Sequence, residues 1–526
     1  MRVIEPTDVV GTIDPKPKRE KRGGLMSFWL GGIGLLLFVA LVLFALCAWR
    51  AGRAGQRGNW TSVAPMDAIT ELPLSREHAV ASLQMAVRFP TISADDPESV
   101  DWTPFERYAD FLCERYPAFH AAAERHVVAG HALIYRWPGK ESHRRPVVWM
   151  AHQDVVPVEN ASDWTHPPFA GELAEGCLWG RGALDMKSHM IAMLECCEAL
   201  IAQGYTPARD MYLLLGCDEE TGVNTSAIPM REWLKAQDIT PLYILDEGTN
   251  GFFDGALFDI PRTLACVAVA EKGFGNLRIQ VSDDGGHASL PPRKTALGKL
   301  MHMAVRMDKR PFPARIAPPV SNMIERLLPE MRWRDRMIYA NLWLLRPLAV
   351  KKLSANRQTN AWLRSTAALT MASGAPQPNV LPQQAAATWN VRTAPWDQPE
   401  QLKQILLARS GFLQGGEQLQ GVLVEEQLHA ASRVSPSQDG VAKILFDTVE
   451  QQFPDCVALP SLMLGGTDAI HLEEICSHIY RFSPFRSYQQ YGHTIHATDE
   501  RVDVEDFLHA IGFFAALCQR ADALAE

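Results

Sequence analysis

Three short apolar segments of the chain each end in carboxylate or histidine side chains, and this recurrence constrains the fold more than any other feature. The segments are 146–151, 212–215 and 241–245, and the side chains that follow them are His152 and Asp154, then Asp218, Glu219 and Glu220, then Asp246 and Glu247. An unbroken apolar run is typical of a strand that is buried on both faces. Helical patterns between the runs predict an α/β fold whose sheet is mixed, mostly parallel, and covered by helices on both faces.

The polar ends of these strands are expected to meet in space. In open α/β sheets, ligands bind in the crevice outside the carboxyl ends of the strands. Adjacent carboxylates such as Asp218, Glu219 and Glu220 repel one another, so their burial there requires a cation nearby. An acidic, solvated turn is the alternative for this stretch taken alone. Because carboxylate or histidine side chains follow all three predicted strands, a metal site is favoured over a solvated turn.

Other side chains near these strand ends could serve the same site. His152 and Asp154 are two residues apart, so they point to the same side of an extended chain, where one can bind a metal while the other accepts the imidazole N–H. Asp185 lies in a glycine-bracketed loop before a predicted helix over 188–203, and a helix N-cap is its alternative role. Cys217 is expected to be a buried packing thiol rather than a ligand.

The amino-terminal part of the chain predicts a membrane anchor. Residues 25–49 contain no charged side chain, and this length exceeds the roughly 20 residues that cross a bilayer. Tryptophans stand near both ends of the run, as is typical of interfacial anchors. A cleaved signal peptide is the alternative, but its apolar region is shorter, at about 7 to 15 residues. Basic residues are more numerous before the run than after it, which favours a cytoplasmic amino terminus and an extracytoplasmic catalytic part.

The remaining sequence divides into further predicted segments. The complete expected order is a disordered cytoplasmic tail over 1–24, a transmembrane signal anchor over 25–49, a linker over 50–70, a first catalytic part over 71–270, an inserted domain over 271–430 and a second catalytic part over 431–526. The strand and helix order of the inserted domain predicts a small α+β sandwich of the ferredoxin-like type, with an apolar-rich helical insertion over 310–372. The net charge of -9 gives no indication of a nucleic-acid partner.

Seven motifs, taken in this order, resemble those of the M20 metallopeptidase family. They are AHQDVVPV, WGRGALDMK, DEETG, LDEG, GGHASLP, LGGTD and IHATDE. The resemblance covers almost the whole globular part, about residues 75–518. AHQDVVPV, the anchor and the long insertion are most similar to the carboxypeptidase S branch, which includes N-fatty-acyl amino acid hydrolase/synthases. The resemblance implies a zinc-peptidase fold in which the inserted domain serves as a lid.

The resemblance also implies roles for individual residues, which are carried over by position. It implies two zinc ions with these ligands: His152, Asp185 as the bridge, Glu220, Asp246 and His496, with His493 as the alternative to His496. It implies these catalytic groups: Asp154, which orients His152, Glu219 as the general base, and His287, which holds the developing oxyanion together with Asn379. It implies that the substrate carboxylate is bound by Arg392, Gly466 and Thr467.

The chemistry of the donor set agrees with these roles. Nitrogen and oxygen ligands without thiolate suit a catalytic zinc site, in which cobalt or manganese could substitute. Two adjacent metals lower the pKa of a shared water and polarise the scissile carbonyl. A base that takes the proton of that water cannot also be a ligand, so Glu219 and Glu220 must have separate roles.

We therefore expect a membrane-anchored di-zinc amidohydrolase or carboxypeptidase that releases a C-terminal amino acid from a peptide. Hydrolysis or synthesis of N-fatty-acyl amino acids is the alternative activity. A non-catalytic binding protein on the same scaffold would have lost a ligand or the base, and none is missing. Because family members often dimerise through the inserted domain, a homodimer is an open alternative to a monomer.

Overall fold

The structure is a computed structural model that describes residues 22–56, 72–73, 75–248, 251–411, 413–414, 417–418 and 421–524. Nearly all of the expected cytoplasmic tail and most of the expected linker lie outside the described residues.

The helices are numbered in chain order. They are α1 (Arg22–Gln56), α2 (Arg76–Val87), α3 (Thr103–Arg115), α4 (Pro117–Ala122), α5 (Lys187–Ala202), α6 (Ala227–Ala236), α7 (Ala296–Asp308), α8 (Val320–Leu327), α9 (Trp333–Tyr339), α10 (Leu342–Leu353), α11 (Arg357–Trp362), α12 (Pro399–Ser410), α13 (Gly440–Gln452), α14 (Ser487–Tyr491) and α15 (Val504–Ala523).

The strands are numbered in the same way. They are β1 (Glu124–Val128), β2 (Ala132–Trp137), β3 (Val147–His152), β4 (Glu172–Ala174), β5 (Cys177–Trp179), β6 (Met211–Gly216), β7 (Tyr243–Asp246), β8 (Phe252–Phe253), β9 (Thr263–Glu271), β10 (Gly273–Ser282), β11 (Gly286–His287), β12 (Thr366–Ser373), β13 (Val380–Leu381), β14 (Gln384–Thr393), β15 (Leu413–Gln414), β16 (Glu417–Gln418), β17 (Val422–Leu428), β18 (Cys456–Met463), β19 (Ile479–Arg481) and β20 (Arg501–Asp503).

The central sheet has the order β1-β2-β6-β3-β7-β19-β9-β18, with β8 paired to β9. Its centre is parallel, because β3 pairs in parallel with β6 and β7 and β19 pairs in parallel with β7. One flank is antiparallel, through β1, β2 and β6. On the other flank β19 and β8 each pair in antiparallel fashion with β9, while β18 pairs with β9 in parallel. The α/β fold with a mixed sheet is thus confirmed.

Helices cover both faces of this sheet. One face buries α5 and α15, and Trp149 of β3, Met190 and Phe514 belong to the same apolar cluster there. The opposite face buries α6, where Val148 and Met230 share a second cluster. Alternate residues of β3 therefore enter different cores. This is why the strand carries no polar residue before its end.

The inserted part contains a four-stranded antiparallel sheet in the order β12-β14-β10-β17. Side chains of α7 and α12 pack with β10 and β14 into one core. The four helices α8 to α11 lie elsewhere, since they share a core with β9 and β18 of the central sheet. The helical insertion is therefore attached to the body that carries the strand ends.

Helix α1 is longer than the expected anchor. Within Gly32–Gln56, the most apolar window of 18 residues has a mean hydropathy of 2.6 and is 6% buried. The helix continues beyond Trp49 into the expected linker because Cys47, Ala51 and Ala54, which repeat at helical spacing, are buried. The side-chain amide of Asn341, between α9 and α10, donates a hydrogen bond to the Cys47 carbonyl at 3.0 Å.

Candidate metal centre and substrate cavity

The predicted ligands converge at the carboxyl edge of the parallel strands. His152 is the last residue of β3 and pairs with Gly216, the last residue of β6, while Asp246 ends the neighbouring β7. Because parallel strands end at the same edge, Glu219 and Glu220, which follow β6, start beside His152. The loop before α5 brings Asp185 to the same place, and its carboxylate lies 3.3 Å from His152 Nε2.

Asp185 stands between two histidines that are 344 positions apart in numbering, and this is the main geometric feature of the site. Its Oδ1 lies 3.3 Å from His152 Nε2, and its Oδ2 lies 3.4 Å from His496 Nε2. His496 Nε2 also lies 2.9 Å from Glu220 Oε2. His493, the alternative histidine, lies on the preceding short turn and is exposed like His496, but of the two only His496 lies within 4 Å of these carboxylates. A carboxylate with a different histidine at each oxygen could hold one divalent cation on each side.

The carboxylate nearest His152 at the end of β7 belongs to Glu247. Its Oε1 lies 3.9 Å from His152 Nε2. Both oxygens of Asp246 accept backbone N–H groups instead, from Glu247 at 2.8 Å and from Ala469 at 3.1 Å. Adjacent residues of a strand point to opposite sides, so the two acids at this strand end cannot take the same direction. Glu247 is thus a ligand candidate beside the predicted Asp246.

Asp154 contacts both His152 and the turn that carries Glu219 and Glu220. It is fully buried, its Oδ1 lies 3.5 Å from His152 Nδ1, and its carboxylate accepts the backbone N–H groups of Glu219 at 3.3 Å and Glu220 at 3.1 Å. The hydroxyl of Ser93 donates to it at 2.6 Å. The closest contact of His152 Nδ1 is the Asp154 carbonyl oxygen at 2.9 Å. Asp154 therefore fixes both the imidazole and the turn that carries the two glutamates.

Glu500 holds the loop of Asp185, a role that the sequence analysis missed. It is 1% exposed and accepts backbone N–H groups of Gly182, Leu184 and Asp185 at 2.9 to 3.0 Å. Arg181 donates to it at 2.7 Å and also donates to the Ala497 carbonyl at 3.2 Å. Since Ala497 follows His496, this ion pair ties the two halves of the site together. The only sequence signal of the contact between Arg181 and Glu500 was that the motifs WGRGALDMK and IHATDE contain side chains of opposite charge.

The site concentrates buried negative charge that needs a cation. Burial raises the pKa of Glu219 well above its usual range, and the charge of Glu247 raises it further. Burial and the charge of Asp185 raise the pKa of Glu220 to about 7. Hydrogen bonding with Asp185 and Glu220 raises the pKa of His496 to about 10. A divalent cation bound here would supply the positive charge that these buried carboxylates lack.

Two buried carboxylate oxygens of the described residues lack a hydrogen-bond partner, Glu247 Oε2 and Asp468 Oδ2. Ligand atoms of His152, Glu219 and Glu247 lie within 4.8 Å of one another, as do those of His152, Asp185 and Glu220. All of these donors are nitrogen or oxygen, and Cys217 is packed in the apolar cluster of α6. The residues present therefore fit a catalytic site for zinc or a similar divalent metal.

A cavity of about 580 Å³ opens beside Glu219 and Glu220. It is lined by the predicted carboxylate-binding residues Arg392, Gly466 and Thr467. Arg392 donates to Asn390 at 3.2 Å and to the Leu464 carbonyl at 3.4 Å, which fixes its guanidinium at the wall.

Thr467 is held at the cavity wall by a buried ion pair. It donates to Glu271 through its hydroxyl at 2.9 Å and its backbone N–H at 3.3 Å. Arg481 donates to the same carboxylate at 2.5 Å. Glu271 and Arg481 are therefore support residues for this wall that sequence reasoning did not identify.

His287 and Asn379 are brought together, but away from the cavity. The backbone N–H of Ala288 donates to the Asn379 carbonyl at 3.0 Å, next to the short pairing of β11 with β13. Both side chains are exposed. His287 Nδ1 contacts the Ser289 hydroxyl at 2.7 Å, and neither predicted residue lines the cavity beside Glu219.

Sequence comparison with known proteins identifies the family of this chain. Residues 148–520 match the family model described as peptidase family M20/M25/M40. N-fatty-acyl-amino acid synthase/hydrolase PM20D1 of Bos taurus is 30% identical, over 85% of this chain and 89% of its own length. Carboxypeptidase S of Saccharomyces cerevisiae is 26% identical, over 85% of each chain.

The fold has counterparts among solved structures. The M20 family metallo-carboxypeptidase Sso-CP2 from Sulfolobus solfataricus matches with a TM-score of 0.61 at 16% identity, over 85% of this chain and 99% of that one. At this identity the likeness concerns the fold, and the assignment to a family rests on the sequence matches. The chain therefore belongs to peptidase family M20/M25/M40 and is a metal-dependent peptidase of that family.

Proposed function

We propose that this protein is a membrane-anchored, di-zinc amidohydrolase of the carboxypeptidase type, which cleaves the amide bond that releases a C-terminal amino acid from a peptide. The observation that carries the proposal is the position of Asp185, whose two oxygens face His152 and His496 separately. A carboxylate with an imidazole at each oxygen is suited to bind one cation on each side.

The proposed ligands fall into two sets that share Asp185. The first set is His152, Asp185 and a carboxylate at the end of β7, for which Asp246 and its neighbour Glu247 are the candidates. The second set is Asp185, Glu220 and His496. Bound zinc would supply Lewis acidity to the scissile carbonyl and lower the pKa of a water nearby.

Glu219 is the proposed general base. It shares the buried edge with the ligands, lines the cavity, and is held in place by the Asp154 carboxylate through its backbone N–H. In the proposed reaction a Glu219 carboxylate oxygen takes a proton from the attacking water. It then gives this proton to the nitrogen of the leaving amine, so that the carboxylate is restored.

The part of the cavity wall formed by Arg392, Gly466 and Thr467 is the proposed site for the substrate's free carboxylate. Arg392 offers a fixed cation there, and Gly466 and Thr467 provide a small loop beside it. Guanidinium and carboxylate form strong charge-assisted hydrogen bonds. This pairing would set the distance between the terminal carboxylate and the scissile amide, and so favour removal of a single residue.

We further propose that the inserted domain, 271–430, acts as a ferredoxin-like lid and that the active form is a homodimer. The oxyanion role of His287 and Asn379 requires them at a cavity that they do not line in their own chain. Strand β12 supports association, since it is an edge strand on which Leu369 and Met371 are 38% and 68% exposed. A second copy would then supply His287.

The second candidate activity is hydrolysis or synthesis of N-fatty-acyl amino acids. It is favoured by the similarity to the PM20D1 proteins, whose name states that activity. The same carboxylate site would hold the amino acid, and only the acyl side would differ. Comparing kcat/KM for a long-chain N-acyl amino acid with that for a dipeptide of the same C-terminal residue separates the two activities.

Helix α1 is the proposed membrane anchor, with the amino terminus in the cytoplasm and the catalytic body on the other side. Its apolar and exposed surface supports this assignment. Side chains such as Leu36 and Leu41, which are 71% and 66% exposed, have no protein partner to bury them, as is typical of lipid-facing residues.

Chelation of the full-length protein in detergent tests the proposal. Activity should be lost with the metal and return when zinc is added at two equivalents per chain. Glu219→Gln should still bind two zinc ions while kcat falls by about 10²- to 10⁴-fold, the usual contribution of a general base. The same change at exposed Glu159 is the control and should leave both quantities unchanged. Activity that survives complete removal of metal would exclude the proposed function.

A further inference from the structure

Helix α10 presents an apolar face that the protein does not cover. Trp343, Leu344 and Leu348 are 54%, 41% and 47% exposed, and exposed Pro347 lies between them on the same side. The opposite side of the helix carries Ala349 and Leu353, which are buried in the core shared with β9 and β18. A surface helix of this kind normally turns polar residues outward, so this apolar face is expected to have a partner.

The apolar face of α10 lies beside the end of α1. A cavity of about 490 Å³ separates the two helices, and both Trp49 and Trp343 line it. Trp49 is the last residue of the uncharged run, at the level where a spanning helix leaves the hydrocarbon. Trp343 therefore lies near the end of the span, on the other side of this cavity.

The contact between α1 and the insertion is specific. Asn341 donates to the Cys47 carbonyl at 3.0 Å and is itself fully buried. Arg50 donates to the Ala340 carbonyl at 3.4 Å. The last turns of α1 therefore fix the position of α10 relative to the span, because α10 begins directly after Asn341.

We propose that the apolar face of α10 lies in the headgroup layer of the same bilayer that α1 spans, so that the partner of this face is a lipid surface. The inference rests on the proposed anchor and adds a second attachment to it. The positive charges near this face are consistent with lipid phosphates as its partner. Arg346 and Lys351 are exposed on α10, and Arg50 and Arg53 line the cavity beside it. Such side chains place their apolar stems along the membrane and their charges at lipid phosphates.

Two attachments fix the orientation of the catalytic body, which attachment through a single helix would leave free to rotate. The helices α8 to α11 share a core with β9 and β18 of the central sheet. Through this core, a lipid contact of α10 would also fix the position of the central sheet, at whose edge the proposed metal ligands lie. The site is held at a fixed height above the bilayer.

Site-specific photocrosslinking tests this inference in the full-length protein. The photoreactive residue p-benzoylphenylalanine replaces Leu344 or Leu348, and the protein is reconstituted in vesicles of phosphatidylcholine and phosphatidylglycerol that contain a radiolabelled phospholipid. Replacement of Val305, which is 70% exposed on α7 in the inserted domain, is the matched control. Replacement of Leu37, which is 61% exposed in α1, reports on the anchor itself.

Positions 344 and 348 are expected to crosslink to lipid about fivefold or more above position 305, as interfacial residues should. Lipid labelling at 344 and 348 equal to that at 305, with strong labelling at 37, would overturn the inference and leave the anchor intact. Absence of labelling at 37 would overturn the anchor and the inference with it. Crosslinks from 344 or 348 to a second protein chain would assign the face to an interface between copies.

Discussion

At the scale of single residues, the proposed metal ligands are held in place by two other buried acids. Asp154 and Glu500 are buried acids that act through backbone N–H groups, in the turn of Glu219 and in the loop of Asp185 respectively. Hydrogen bonds from several N–H groups favour the charged form of a buried carboxylate, and Glu500 also forms an ion pair with Arg181. These two acids therefore fix the geometry of the residues proposed to bind metal.

Replacing Glu500 by glutamine should weaken the centre without unfolding the protein. The amide keeps the size of the side chain but offers one acceptor oxygen to the loop of Asp185 and loses the ion pair with Arg181. Supports of this kind typically contribute 10- to 100-fold to metal affinity or activity, so a decrease of about that size is expected in both. Zinc titration and kcat/KM of the same preparation measure it.

The control for this prediction is the same change at Glu505, which is exposed and forms a surface ion pair with Arg76. It should leave the affinity for zinc unchanged. An affinity of Glu500→Gln equal to that of the parent protein would show that Glu500 does not position Asp185.

The sequence could predict most of the residues that meet at the site but not those that support it. His152, Asp185 and Glu220 follow apolar runs or stand in motifs, so strand-end reasoning and the family resemblance both find them. Glu500 and Glu271 interact with residues more than 190 positions away along the chain. Contacts at that separation depend on the tertiary fold, which local patterns do not contain.

At the scale of elements, the apolar strands were predicted to within two residues, since β3, β6 and β7 are buried on both faces and lack turn residues. The insertion was less predictable. The expected helical insertion over 310–372 gave no boundary between α9 and α10, where the side-chain amide of Asn341 donates to the carbonyl oxygens of Cys47 and Met337. Residues 366–372 of strand β12 were expected to belong to the helical insertion. Nearly all residues of this strand are exposed, so its sequence lacks the alternation of apolar and polar residues that identifies a strand.

Gly275 should be essential to the sheet of the inserted domain. A Cβ at this position would lie 1.8 Å from the Gln427 carbonyl oxygen, a backbone atom of the paired strand β17. Gly275→Ala is therefore expected to separate β10 from β17 and to lower the free energy of unfolding by about 1–3 kcal/mol or more. Thermal unfolding monitored by circular dichroism measures the loss.

Gly512→Ala is the matched control for this change. Gly512 lies inside α15, and a Cβ there would have no heavy atom within 4 Å outside the backbone of its own helix and its chain neighbours. The variant should be as stable as the parent protein or up to about 1 kcal/mol more stable, because alanine favours helix. Equal stability of Gly275→Ala and Gly512→Ala would contradict the described pairing of β10 with β17.

At the scale of the whole molecule, sequence patterns could not show which parts lie next to one another. The resemblance assigned His287 to the catalytic site, yet its side chain is exposed on a hairpin outside the cavity. The contact between α1 and the helical insertion was equally hidden, since it joins residues 290 positions apart. Both features depend on how separate units are arranged, which hydrophobic periodicity does not specify.

Complementation between two inactive variants tests whether His287 acts on a second copy. His287→Ala and Glu219→Gln should each be nearly inactive alone. Coexpressed in equal amounts, they should form about half mixed dimers with one intact site each, which gives about a quarter of the parent activity. Activity of the mixture no higher than that of the separate variants would contradict action on a second copy.

The central claim is that Asp185 bridges two divalent cations, and anomalous diffraction from crystals grown with zinc tests it most directly. Two anomalous peaks about 3.5–4 Å apart are expected. Each should lie about 2.0–2.2 Å from one Asp185 oxygen, with His152 bound to one ion and His496 with Glu220 bound to the other. A single peak, or two peaks that do not share Asp185, would contradict the account.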